Sequence, residues 1–261
     1  MKAIWNGAIG FGLVNIPVKI YSATETSKLD LDMLDKTDFS NIKFKRVNES
    51  TGKEVKWENI VKGYLMEDRY IILDEEDYEA ASPEKSKILS IDQFVKEVEV
   101  DSVYFENPYF LEPQKNGENA YRLLLKALSE TKMVGVGTFV LRESQAIGMI
   151  RPYNNEVLIL NRLRFEQEIR DYKDLKIPEK KAPKPAELKM AVSLIEQLSQ
   201  EFDPSMYKDT YSEELMKIIK QKARGKNIKA KKAEPAKEGK VIDLMAQLKA
   251  SLQSPKSKNA S

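Results

Sequence analysis

Cysteine and histidine are both absent from this 261-residue chain. Their absence removes the soft metal ligands and every Ser/His or Cys/His nucleophile arrangement, so any chemistry must rest on Asp, Glu, Lys, Tyr, Ser or Thr. No charge-free apolar run approaches the length of a membrane span, and the opening "MKAIWNGAIG" is too broken for a signal peptide. A cytoplasmic protein is the expectation. Net charge is also nearly missing, since 43 Lys or Arg face 41 Asp or Glu. That small sum hides a division. From Lys217 to Lys240 ten basic residues face only Glu234 and Glu238, a local +8; the residues from Val241 add +2, which leaves −8 for everything before Lys217. A basic tail fits a polyanion or an acidic partner, and a solvated linker has the same composition.

What is present begins with "GAIGFGLVNIPVKIY", Gly7 to Tyr21, where glycines stand as in a phosphate-binding loop. The dinucleotide fingerprint needs a further glycine where Asn15 stands, and the segment must then open a helix. Instead Val14, Ile16, Val18 and Ile20 alternate around Pro17, which reads as a bent strand or hairpin. Two alternating runs flank a polar turn in "IKFKRVNESTGKEVKW", a hairpin signal in which Lys43 and Lys45 face one way and Phe44 and Arg46 the other. "GYLMEDRYIIL" is strand-like, and "DEEDYEAASPEKSKIL" reads as a short acidic helix or turn. A further alternating stretch, "SIDQFVKEVEVDSVYFENPYFLEP", is expected to stop at Pro108 and Pro113.

"ENAYRLLLKALSETK" is the first convincing helix, with Tyr121, Leu124, Leu125 and Leu128 on one face. The period then returns to two through "MVGVGTFVLRES", "AIGMIRPY" and "EVLILNRLRFEQE", a three-stranded antiparallel meander. After the polar "IPEKKAPKPAE", Leu188, Ala191, Val192, Ile195, Leu198 and Phe202 keep helical spacing until Asp203 and Pro204. A second helix follows, with Thr210 and Glu213 as a capping box and Gly225 as its C-cap. Two short amphipathic helices cannot bury themselves, so they need the strand domain or another subunit. In "KVIDLMAQLKASL", Val241, Leu244, Met245, Leu248 and Leu252 share a narrow arc of a helical wheel, which reads as a docking helix or one packing back on its own protein.

The acids Asp30, Asp32, Asp35 and Asp38 invite a calcium site but lack the EF-hand spacing and its glycine. With 32% of residues charged, such acids are ordinarily surface. Basic residues beside aromatics in "KFKRV", "KEVKW", "FVLRES", "MIRPY" and "NRLRF" suit phosphate contact and equally a solvated sheet face.

Taken in order, "AIWNGAIGFGLVNIPVKIYSATE", "KFKRVNESTGKEV", "IVKGY", "EKSKIL", "YFENPYFLEP", "AYRLLLKAL", "VGVGTFVLRE" and "VIDLMAQLKASL" resemble the bacterial Ku family over nearly the whole chain. The resemblance implies a mainly β fold with α: a Ku-type β-barrel core with a DNA-encircling bridge, followed by C-terminal helices. It implies a homodimeric ring around double-stranded DNA ends, in the nucleoid, that recruits an ATP-dependent DNA ligase for non-homologous end joining, with no catalytic residue and no cofactor. Expected segments are 1–177 for barrel and ring core, 178–185 as a Pro/Lys linker and 186–225 as a helical arm. A basic linker at 226–240, the docking helix at 241–252 and a disordered end at 253–261 complete the chain. DNA-binding candidates are Lys43, Lys45, Arg46, Lys53, Lys56, Arg142 and Arg151; the ligase-docking candidates are Val241, Leu244, Met245, Leu248 and Leu252. Some relatives carry Cys-x-x-Cys where this chain has Asn48 and Thr51, so no zinc is expected. The alternatives are a carboxylate metal nuclease acting on DNA and a scaffold whose basic tail binds an acidic protein.

Overall fold

The computed structural model describes residues 1–81, 87–141, 144–178 and 182–226. They form two compact units, one of residues 1–27 and 31–172, the other of residues 28–30 and those from 173 on.

The first unit is built on a closed seven-stranded barrel. β1 (Trp5–Phe11) and β2 (Val14–Ser22) make an antiparallel hairpin with Ala8 across from Pro17. Pro17 is tolerated because β2 meets its other neighbour, β6 (Phe105–Pro113), only from Val18 onward, so no ladder needs its missing N–H on that side. β5 (Ile88–Lys96), β7 (Met133–Leu141), β8 (Ser144–Tyr153) and β9 (Val157–Leu163) complete the order β1-β2-β6-β9-β8-β7-β5. A parallel pairing of Ala8, Ile9 and Gly10 with Ile88, Leu89 and Ser90 closes the ring. The meander expected over 133–163 is present as β7, β8 and β9.

Two glycines of the opening stretch have definite steric roles. A Cβ on Gly7 would collide with the Trp5 ring and the Lys87 carbonyl, while Gly12 holds the β1–β2 turn at φ +55°. Of the two prolines of β6, one departs from expectation. Pro108 does not stop the strand but sits at a register irregularity against β9, just past the last β2 pair at Tyr109, whereas the strand does end at Pro113 as expected.

Ile9, Ile16, Val18, Ile20, Leu89, Leu111, Ile150, Leu158 and Leu160 fill the barrel. α2 (Glu118–Thr131) packs Tyr121, Leu124 and Leu128 onto that cluster. The Tyr121 hydroxyl donates to the Leu111 carbonyl at 2.7 Å and accepts from the Leu158 amide at 2.7 Å, tying the helix to β6 and β9 at once. Burial pushes the Tyr121 phenol above its usual range. On the other face Val134, Met149 and Leu163 pack with Val95, Val100, Tyr104 and Phe105. Met149 and Ile150, neighbours in β8, therefore serve opposite sides of one pleated strand.

Between β2 and β5 the chain leaves the barrel. This stretch holds a short hairpin, β3 (Lys62–Met66) with β4 (Arg69–Leu73), and α1 (Glu75–Ala81). The hairpin read in 42–57 is reduced to one bridge, Val47 against Glu54, and its second flank passes at Trp57 into a short 3-10 helix, Trp57–Asn59. From Tyr21 to Ile88 no described residue is buried.

In the second unit α3 (Pro185–Leu198) ends four residues before Phe202. Ser199 turns its hydroxyl onto the Ile195 carbonyl at 2.8 Å, and Asp203 precedes a proline, which disfavours helix there. α4 (Thr210–Ala223) is capped by Asp209, whose carboxylate accepts from the Ser212 amide at 3.1 Å; Thr210, expected as the cap, is the first helical residue. Gly225 follows the C-cap at φ +75°. No helix among the described residues is long and apolar enough to cross a membrane.

Candidate nucleic-acid interface

Charge along the arm from Leu31 to Ala81 comes in three blocks. Residues 31–42 carry Asp32, Asp35 and Asp38 against Lys36; residues 43–62 carry six Lys or Arg against Glu49, Glu54 and Glu58; residues 63–81 carry seven acids against Arg69 alone. The blocks sum to −2, +3 and −6. A phosphate responds mainly to charges within about 10 Å, roughly a Debye length at 0.1 M salt, so the middle block is a local basic site on an acidic body.

That block is organised by its turn. The Asn48 side-chain carbonyl accepts from the Ser50 and Thr51 amides at 3.0 and 2.9 Å. Gly52 donates to the Asn48 carbonyl at 2.8 Å from φ +65°, and the Asn48 amide donates to the Lys53 carbonyl at 2.9 Å. Asn48 and Thr51 thus hold the turn by hydrogen bonds. The Asp35 and Asp38 carboxylates hold neighbouring turns, accepting from the Thr37 and Ser40 amides at 2.8 and 2.9 Å. Hydrogen bonds from Thr37 keep the Asp35 carboxyl below its usual range, and those from Ser40 do the same for Asp38. Among the described residues no three of His, Cys, Asp or Glu gather as metal ligands would.

The candidate cations fall into distinct environments. Lys45 is engaged by Glu54 at 2.6 Å, a hydrogen bond that raises its pKa, and Lys56 stands 3.7 Å from Glu58. Arg46 lays its guanidinium 4.6 Å above the Trp57 ring. Among the described residues Lys43, Arg46 and Lys53 have no ion-pair partner. Arg151 lies away from this group, on β8, where its Nε reaches the Asn161 side chain at 3.1 Å and Glu97 at 3.5 Å. Arg142 and the docking residues Val241, Leu244, Met245, Leu248 and Leu252 lie outside the described residues.

Sequence reasoning missed Trp57 as a partner of Arg46. The signal was present in "KFKRVNESTGKEVKW", where a hairpin pattern carries Arg46 on one flank of the turn and Trp57 on the other. It also passed over Arg162 and Arg164 of "NRLRF". These are occupied internally, Arg162 by Glu106 at 3.0 Å and Arg164 by the Phe105 carbonyl at 2.6 Å.

A closed barrel with a helix tied to it and an outlying arm carrying one basic block defines a class of β-barrel proteins that present an appendage beyond the core. Residues 10–190 match the family model described as the Ku70/Ku80 beta-barrel domain. The chain is similar to the "Non-homologous end joining protein Ku" of Opitutus terrae, 39% identical over 97% of this chain and 91% of that one. The protein of the same name from Pseudomonas aeruginosa is 38% identical over 97% and 88%, and that of Bacillus subtilis 34% over 97% and 82%. The chain belongs to the Ku family.

Proposed function

We propose that this protein binds double-stranded DNA ends without sequence specificity, as a homodimeric ring, and recruits an ATP-dependent DNA ligase for non-homologous end joining. The relatives' shared name supports the repair role. One observation carries the binding mode: an arm with no buried residue holds a basic block between two acidic ones, an arrangement suited to bridging around a polyanion. Contact is with phosphates, so sequence is not read, and no catalytic group is required of the chain. Lys43, Arg46 and Lys53 are the leading contacts, with Lys45 and Lys56 partly neutralised by their glutamates.

Dimerisation is supported by the apolar side chains that the second unit leaves exposed, Leu188, Val192, Ile195 and Leu198 on α3. The helical arm of 186–225 gives these to a second copy, 226–240 acts as a basic tether and 241–252 as the ligase-docking helix. The protein then works in the cytoplasm at the nucleoid.

The deciding experiment compares binding to linear and closed circular DNA of identical sequence. A ring threads onto an end and cannot enter a closed circle, so binding to the linear form alone is expected. Equal binding to both removes the ring. Leu244→Asp with Leu248→Asp should keep DNA binding and abolish stimulation of the cognate ligase; surviving stimulation moves docking elsewhere.

A further inference from the structure

We propose that Trp57 and Arg46 form a stacking platform for unpaired nucleobases at a DNA end, so that the arm distinguishes tailed from blunt termini. This rests on the end-binding reading above and adds a second ligand class to it, the single strand beside the duplex.

Trp57 is 72% exposed although it is among the largest apolar side chains in the molecule. The Arg46 guanidinium lies 4.6 Å over the ring, and most of the side chain nonetheless remains in contact with solvent. Phe44, two residues before Arg46 on the same flank, is 80% exposed and adds a second aromatic side chain to this basic stretch. An indole held from behind by a planar cation offers a flat, pre-set surface, and base–aromatic stacking is indifferent to which base arrives. Arg46 has no carboxylate partner among the described residues, so its charge remains available to the phosphate that follows the stacked base.

Other exposed rings of the arm lack this setting. Tyr64 and Tyr70 lie on β3 and β4 within the block of charge −6. Tyr78 has Lys62 at 5.1 Å but is flanked in α1 by Glu75, Glu76, Asp77 and Glu79, which repel a phosphate. Aromatic surface and net positive charge coincide, among the described residues of the arm, at the hairpin.

The chain has two tryptophans, and Trp5 belongs to the barrel, edge-on to Phe139 at 6.2 Å. Full-length protein carrying Trp5→Phe therefore reports on Trp57 alone. It is titrated with a blunt linear duplex and with the same duplex carrying a 3′ extension of unpaired deoxyadenosines. Quenching by the tailed duplex and little change with the blunt one is expected. Trp57→Ala should weaken tailed binding by about tenfold, the loss of one stacked base, and leave blunt binding within about twofold. Trp57→Phe should keep most of the preference, and Arg46→Lys should lose part of it while retaining charge. Equal quenching by both duplexes, no quenching by either, or equal losses on both in Trp57→Ala overturns the platform and leaves end binding standing. If unaltered protein binds neither duplex, the end-binding reading fails and the platform with it.

Discussion

Barrel and arm both carry many apolar residues and bury them to very different extents. In the barrel Ile9, Ile16, Leu158 and Leu160 are sealed from water. In the arm Leu31, Met33, Leu65, Met66, Tyr70 and Ile72 are more than half exposed, and no described residue between Ile20 and Leu89 is buried. A closed sheet satisfies its own edges and encloses a core, whereas a two-stranded hairpin is marginal by itself in water. The barrel is thus a self-sufficient body, and the arm a surface whose apolar residues stay exposed.

The sharpest way to break that contrast is a matched pair of truncations. Leu160→Ala should cost about 2–5 kcal/mol in denaturant unfolding, and Leu65→Ala within about 0.5 kcal/mol. Trp5 fluorescence, in a Trp57→Phe background, reads the barrel alone. Similar losses at both positions would make arm and barrel one cooperative unit.

Tyr121→Phe comes next in size. Removing the hydroxyl strands the buried Leu111 carbonyl and Leu158 amide together, so the barrel should lose about 2–4 kcal/mol although no apolar area is lost. The pH dependence has a definite sign. Because the folded phenol is held above its unfolded pKa near 10, its contribution is full below that pH and is lost as pH rises through the folded value. The gap between Tyr121→Phe and the unaltered protein should therefore narrow in alkali.

Within the arm, DNA binding should separate cations that look alike in sequence. Log affinity against log salt is expected to fall with a slope of about −0.9 per neutralised phosphate. Lys43→Ala with Arg46→Ala should make that slope shallower, and Lys45→Ala should change it little, because Lys45 already spends its charge on Glu54. An equal change from Lys45→Ala would mean that the pair opens on binding.

The smallest expected effect is local. Asp35 and Asp38 are held below the usual carboxylate range, so their turns are stabilised above the unfolded pKa near 3.9 and lose that support as pH falls through the folded values. Amide exchange at Thr37 and Ser40, corrected for intrinsic rates, should rise on acidification toward pH 2. The Leu158 amide, bonded to a phenol that stays neutral there, should not change.

Much of the molecule was legible in residue order. Alternation over 133–163 marked β7, β8 and β9, and the spacing of Tyr121, Leu124 and Leu128 marked the buried face of α2. The cluster of basic residues around Asn48 and Gly52 marked the candidate site. Other features were not readable: Pro108 inside a strand, Asp209 rather than Thr210 at the cap, and Arg151 committed to Asn161 and Glu97.

Sequence alone determined the periods of strand and helix, the distribution of charge and the family, because each depends on residue type and on neighbours a few positions away. Tertiary structure decided how the barrel closes, since Ala8 pairs with Ile88 only after the whole arm has been looped out between them. It also decided which cations remain free. An ion pair is set by where two side chains arrive in space, and Lys45 meets Glu54 and Arg46 meets Trp57 only because the Asn48–Gly52 turn brings one flank back against the other.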